Sequence, residues 1–166
     1  MIKFEKVSYN EFKKACLKTY GCIEESTIKD LYDKIELPTR STKHSAGYDF
    51  KFPLNERCIG ELPVMFPTGI KCQMDEDVVL MLYPRSSLGF KYGMELLNTV
   101  GIIDSDYYGN PDNEGHIMAK FRCTEKPKIL ENGEAFMQGI FIHYLCINGE
   151  KSIKNERVGG IGSTNN

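Results

Sequence analysis

From Pro38 onward the chain is cut into short apolar or alternating runs by Gly, Pro and Asn: GYDFKF, VMFPTGIKC, VVLMLY, MELLN, VGIID, GHIMAKFRC and FMQGIFIHYLCIN. This punctuation is the strongest constraint on the fold. Short apolar or alternating runs between turn residues read as strands, and their near-regular spacing predicts an all-β sandwich or barrel. Ahead of Pro38 the pattern differs. In SYNEFKKACLKTYG, Ser8 stands three residues before Glu11 as in a capping box, and Gly21 is a stop signal. In STIKDLYDKIELP, Ile28, Leu31, Tyr32 and Ile35 recur at helical spacing, so a helix near 27–33 is expected, with KIELP following as a strand. The organisation predicted is a single domain over 1–166. Residues 1–36 are an N-terminal helical extension, and 155–166 are a flexible glycine-rich tail.

Length and charge restrict what such a domain can do. With 166 residues the chain can bury one core. A hydrophobic share of 41% and a charged share of 27% suit a globular protein in water. The formal charge of -2 supplies no basic footprint, so neither a nucleic-acid backbone nor an anionic membrane is an expected partner. No apolar run is long enough for a bilayer and MIKFEKVSYNEF lacks a signal peptide's apolar centre, which makes the expected location cytoplasmic. The six cysteines include no CxxC pair and read as reduced thiols, mostly core filler.

Several polar groups interrupt the strand-like runs. VVLMLYPRSSLG is a buried strand ending in a turn where Arg85, Ser86 and Ser87 follow one another. A planar guanidinium, two hydroxyls and oriented main-chain N–H groups suit phosphate oxygens; an ordinary solvated turn has the same composition. RVGGIGST offers that chemistry again through Arg157, three glycines, Ser163 and Thr164, or is simply a disordered end. In SAGYDF, Asp49 follows a glycine at a strand start, as a turn aspartate also would. In NTVGIIDSDYYGN an apolar run delivers Asp104 and then Asp106. Either is a turn residue, or Asp104 holds a water and accepts its proton as that water attacks; Asp106 fits the turn better.

Taken together, SAGYDF, PRSSLG, NTVGIIDSDYYG, GEAFMQGIF and RVGGIGST resemble, in order, the five motifs of the trimeric deoxyuridine triphosphate pyrophosphatases, the dUTPases. The resemblance spans about Pro38 to Thr164, and the inserted-looking NPDNEGH is similar to forms from Gram-positive bacteria and their phages. It implies a jelly-roll or distorted β-barrel. It also implies hydrolysis of dUTP to dUMP and pyrophosphate, limiting uracil in DNA and supplying dUMP for dTMP synthesis. Asp104 would orient and deprotonate the attacking water. Asn98 would bond the uracil edge beside main-chain groups of Gly101, Ile102 and Ile103, and Tyr107 would lie under the deoxyribose. Arg85, Ser86 and Ser87 would take phosphate oxygens, Gln138 would add a contact from the fourth motif, and Arg157, Ser163 and Thr164 would close over the triphosphate. Magnesium would come with the triphosphate, Asp49 touching it only through water. The implied assembly is a homotrimer with sites shared between subunits.

The chain departs from the family pattern at two positions. Ile161 stands where a tail phenylalanine usually stacks on the base, leaving His116 or Phe90 as candidate aromatics. Ala135 stands at a usual arginine. A dCTP deaminase-like enzyme of the same fold also uses a Ser-Ser turn, but there Ala-Arg follows where this chain has Gly89 and Phe90. A zinc deaminase would need H-x-E with PCxxC, which the chain lacks. A nucleotide-binding regulatory protein is the third alternative.

Overall fold

The structure is a computed structural model that describes residues 1–149 and 157–160. Eleven strands and three short helices follow one another in it. Strand β1 (Lys3–Lys6) leads into α1 (Tyr9–Tyr20) and α2 (Glu25–Asp33). Then come β2 (Tyr48–Lys51), β3 (Arg57–Ile59), β4 (Val64–Pro67), β5 (Ile70–Gln73) and β6 (Val78–Pro84). After α3 (Ser86–Tyr92) lie β7 (Met94–Leu96), β8 (Gly101–Ile103), β9 (Met118–Cys123), β10 (Lys128–Leu130) and β11 (Ala135–His143). The predicted all-β class holds.

Two sheets enclose the core. One runs β2-β11-β6-β8 and the other β4-β9-β7, all neighbours antiparallel. Between them Phe52, Phe66, Phe121 and Phe136 form a cluster of rings 5.1 to 6.0 Å apart, mostly edge to face, as aromatic quadrupoles prefer. Two smaller pairs, β1 with β5 and β3 with β10, complete the wall.

The N-terminal segment follows its local signals with two exceptions. Helix α1 begins where expected, Ser8 Oγ accepting from Glu11 N at 3.2 Å, and ends at Gly21. The expected strand through KIELP does not form. Lys34 N and Ile35 N bond back to Asp30 and Tyr32 carbonyls, extending the helix end, and Ile35 is buried as a core plug. Pro38 has no N–H to give a sheet. Conversely, β1 is a strand within the extension, pairing Lys3–Lys6 with Ile70–Gln73. The expected turn at PRSSLG is instead the seven-residue helix α3, ended by Gly93 in the left-handed conformation.

All six cysteines are free thiols, as expected, but only Cys16, Cys72 and Cys123 are core filler; Cys22, Cys58 and Cys146 are exposed. No helix among the described residues is long and apolar enough to cross a membrane.

Candidate active site

Among the described residues strand β8 sits at the edge of its sheet, paired only with β6: Gly101 faces Leu82, Ile102 faces Met81 and Ile103 faces Leu80. The pairing is close because Gly101 has no side chain. A Cβ there would stand 3.0 Å from Leu82 Cβ and 3.1 Å from its Cδ1. The loop entering β8 is tight. Val100 N donates to Asn98 O at 2.6 Å, and Thr99, a β-branched residue, is held at φ 64. Left-handed backbone at such a residue costs on the order of 1–3 kcal/mol and is tolerated where the surroundings over-determine it.

Beside this loop lies a cavity of about 200 Å³. Leu82, Leu96 and Met118 form its apolar wall, and Asn98, Gly101 to Ile103, Asp104 and Tyr107 line it with them. Ile102 is 52% exposed, an apolar side chain left at the rim of the cavity. Asp104 precedes the single 3-10 turn Ser105–Tyr107 and Asp106 lies within it, both exposed. That turn sends the Tyr107 ring inward, where burial pushes its phenol pKa up while the Asn113 hydrogen bond and the Arg157 charge pull it down.

Arg157 reaches the same place from the described segment 157–160. Its Nη2 donates to Asp104 Oδ2 at 2.6 Å and its Nε to Asp106 Oδ1 at 2.7 Å, with the guanidinium 5.8 Å from the Tyr107 ring centre. Asp106, expected as a plain turn residue, therefore shares a cation with Asp104; its spacing two residues on was the signal that pointed there. Gly160 also lines the cavity, a Cβ on it falling 2.5 Å from Tyr107 Cε2. Ser163, Thr164 and Ile161 lie outside the described residues.

A second group assembles at the other end of β6. Across the sheet Asp49, Gln138 and Tyr83 stand in register, and Arg85 follows two residues later. Asp49 is 6% exposed, and its Oδ1 accepts from Arg85 Nη1. Gln138 Nε2 donates to Pro84 O at 3.3 Å. Ser86 and Ser87 are exposed on the first turn of α3. Arg85, Ser86 and Gln138 line a separate open groove that shares no residue with the Asp104 cavity. The register explains the separation. Ile103 pairs with Leu80, and Leu80 to Arg85 is roughly 17 Å at about 3.3 Å per residue.

Neither candidate aromatic is a cap for this cavity in its own chain. His116 is fully buried with both ring nitrogens engaged. Phe90, 93% exposed, belongs to the Arg85 groove. No three His, Cys, Asp or Glu side chains among the described residues converge as a metal cage. Asp49, the residue expected near magnesium, is buried and paired with Arg85, so it offers no open set of ligands of its own. That suits a hard cation keeping most of its shell as phosphate oxygens and water.

Comparisons with known proteins place the chain in a family. The family model described as dUTPase matches residues 33–165. The deoxyuridine 5'-triphosphate nucleotidohydrolase of Lactococcus lactis subsp. lactis is 46% identical over 133 residues, covering 78% of this chain and 88% of that protein. Among solved structures, the dUTPase of Streptococcus mutans superposes with a TM-score of 0.64 at 38% identity, covering 88% of this chain and 98% of that one. The dUTPase of phage phi11 of S. aureus shares the fold at 12% identity, with a TM-score of 0.62 and coverage of 93% and 97%. With a family model spanning most of its length and a relative this similar, the chain belongs to the dUTPase family.

Proposed function

We propose that this protein hydrolyses dUTP to dUMP and pyrophosphate, limiting uracil incorporation into DNA and supplying dUMP for dTMP synthesis. The observation that carries the reading is the narrow cavity with a carboxylate at its end. Uracil enters beside Asn98 and the main chain of Gly101, Ile102 and Ile103, and the deoxyribose rests on Tyr107. Asp104 then stands where the sugar ends and the α-phosphate begins. A water held by Asp104 attacks the α-phosphorus and gives its proton to the carboxylate as the bond to the bridging oxygen breaks. Phosphoryl chemistry of this kind needs alignment and charge neutralisation more than a strong base.

Arg157 holds Asp104 and Asp106 before substrate arrives and turns its donors to the triphosphate when it binds. Arg85, Ser86, Ser87 and Gln138 take phosphate oxygens, with Asp49 orienting Arg85. Ser163 and Thr164 add hydroxyls to the same group. Magnesium would come with the triphosphate and would neutralise charge on its oxygens, with Asp49 touching it only through water. In the homotrimer that the family resemblance implies, the phosphate group and the base pocket come from different copies of the chain, which fits Arg85 and Asp104 lying at opposite ends of β6.

Chromatography of the products from dUTP, dCTP, dTTP and UTP tests the reaction. The expected result is dUMP with pyrophosphate from dUTP and little turnover of the others. Release of dUDP, deamination of dCTP, or equal turnover of UTP would overturn it.

A further inference from the structure

The helical segment ahead of Pro38 and the loop 110–116 lie behind the cavity wall at Tyr107. They are joined to each other. Ser8, Glu11 and Lys14 lie three apart along α1, on one face of the helix. Ser8 gives both its N–H and its hydroxyl to the Glu114 carboxylate. Lys14 Nζ donates to Asp112 O at 2.6 Å. Glu11 Oε1 lies 3.3 Å from His116 Nδ1. The other half of the capping box predicted at Ser8 is thus not made inside the helix. Glu114 takes the Ser8 N–H, and Glu11 turns to the histidine.

His116 is pinned on both sides. Gly69 N donates to its Nε2 at 2.9 Å, so that nitrogen is the acceptor and the ring proton sits on Nδ1, directed at Glu11. The same residue's main chain holds the site. Tyr107 Oη donates to His116 O at 2.9 Å and accepts from Asn113 Nδ2 at 2.8 Å. Gly115 lets the loop come this close: it sits at φ 87, and a Cβ there would fall 2.7 Å from Tyr107 O. The buried ring of Tyr107 has one polar handle, and that handle is tied to the residue that Glu11 steadies.

We propose that Glu11 and His116 are positioning residues for Tyr107, so that helix α1 sets how strictly the nucleotide pocket refuses a ribose 2'-hydroxyl. This rests on the reading that Tyr107 underlies the deoxyribose. A ring held at its hydroxyl cannot yield to an extra oxygen on the sugar. A ring released at that end can tilt.

The experiment compares kcat/KM for dUTP and UTP in the intact protein and its variants. Tyr107→Phe, which removes only the handle, and Glu11→Ala, which frees His116, should each lower the dUTP/UTP ratio about tenfold, the loss lying mainly in KM. Glu11→Gln keeps an oxygen acceptor for the Nδ1 proton and should keep the ratio within about twofold of wild type. The double variant Glu11→Ala/Tyr107→Phe should be no less selective than Tyr107→Phe alone, since both act through one contact. An unchanged ratio in Tyr107→Phe overturns the inference even if Glu11→Ala fails to fold. Additive losses in the double variant overturn it too. Wild-type protein with no preference for dUTP over UTP would overturn the proposed function itself, and would be seen before any variant is made.

Discussion

Asp104 and Asp106 share one guanidinium, yet the two carboxylates should not matter equally. Asp104 lines the cavity and Asp106 does not, although both border a second, wider depression with Tyr108 and Tyr144. Asp104→Asn keeps shape and hydrogen-bonding reach but cannot take a proton from water. Turnover of dUTP should fall by about 10²- to 10⁴-fold while a non-hydrolysable analogue still binds, as titration calorimetry would record. Near-normal turnover would remove Asp104 from the reaction. Asp106→Asn leaves the Asp104 contact of Arg157 in place, and a loss below about fivefold is expected in the same assay. Both aspartates were visible as residues in the sequence; their common partner was not, because Arg157 is 53 positions from Asp104 and only folding brings them within hydrogen-bonding distance.

At the scale of elements, β8 carries Gly101, Ile102 and Ile103 and delivers Asp104, and its seating depends on the missing side chain at Gly101. Gly101→Ala must push β8 away from Leu82 by a few tenths of an ångström or distort its pairing. The expected outcome is a KM for dUTP raised about tenfold, with thermal unfolding lowered by a few degrees, measured by steady-state kinetics and circular dichroism. An unchanged KM would show that β8 has slack. The strands from β2 to β11 were legible where apolar runs met turn residues. Short β3 and β10 were not, since RCI and KIL are too brief to carry a period. KIELP failed as a strand because Ile35 buries itself best by staying with α2. PRSSLG failed as a turn because Gly93 lets a helix end there, a signal that lay eight residues beyond Arg85.

For the whole molecule, assembly and stability give separate tests. In a trimer whose sites are shared, inactive Asp104→Asn and inactive Ser86→Ala refolded together should recover activity. Each site needs an intact Asp104 from one copy and an intact Ser86 from another, so about a quarter of sites revive in random closed trimers. Mixtures as inactive as their parents, with wild type refolding well, would place both groups in one chain. Alkali probes the core. Burial pushes the Cys16 and Cys72 thiols from an ordinary value near 9 up to about 12. Such groups give stability that is whole below pH 9 and is lost as pH rises through the folded value, because the unfolded chain sheds protons that the native chain keeps. Thermal melts should therefore fall from pH 9 toward 12, by at most about 1.4 kcal/mol per pH unit for each thiol. Cys16→Ala should show a shallower fall than wild type; parallel slopes would refute the assignment.

What the sequence determined by itself was local or ordered along the chain. Strand punctuation, the Ser8 cap, the Gly21 stop and the five motifs depend on neighbours within a few residues, where propensity, capping and turn chemistry act. The tertiary structure alone decided which distant groups meet. It placed Arg85 and Asp104 at opposite ends of β6, gave Asp49 to Arg85, and set Arg157 over two aspartates. It also turned an N-terminal extension and an inserted loop into one support for Tyr107. The reason is physical: a buried donor or carboxylate must find a partner wherever the packed chain supplies one, and no periodicity in the sequence encodes a contact made across 105 positions.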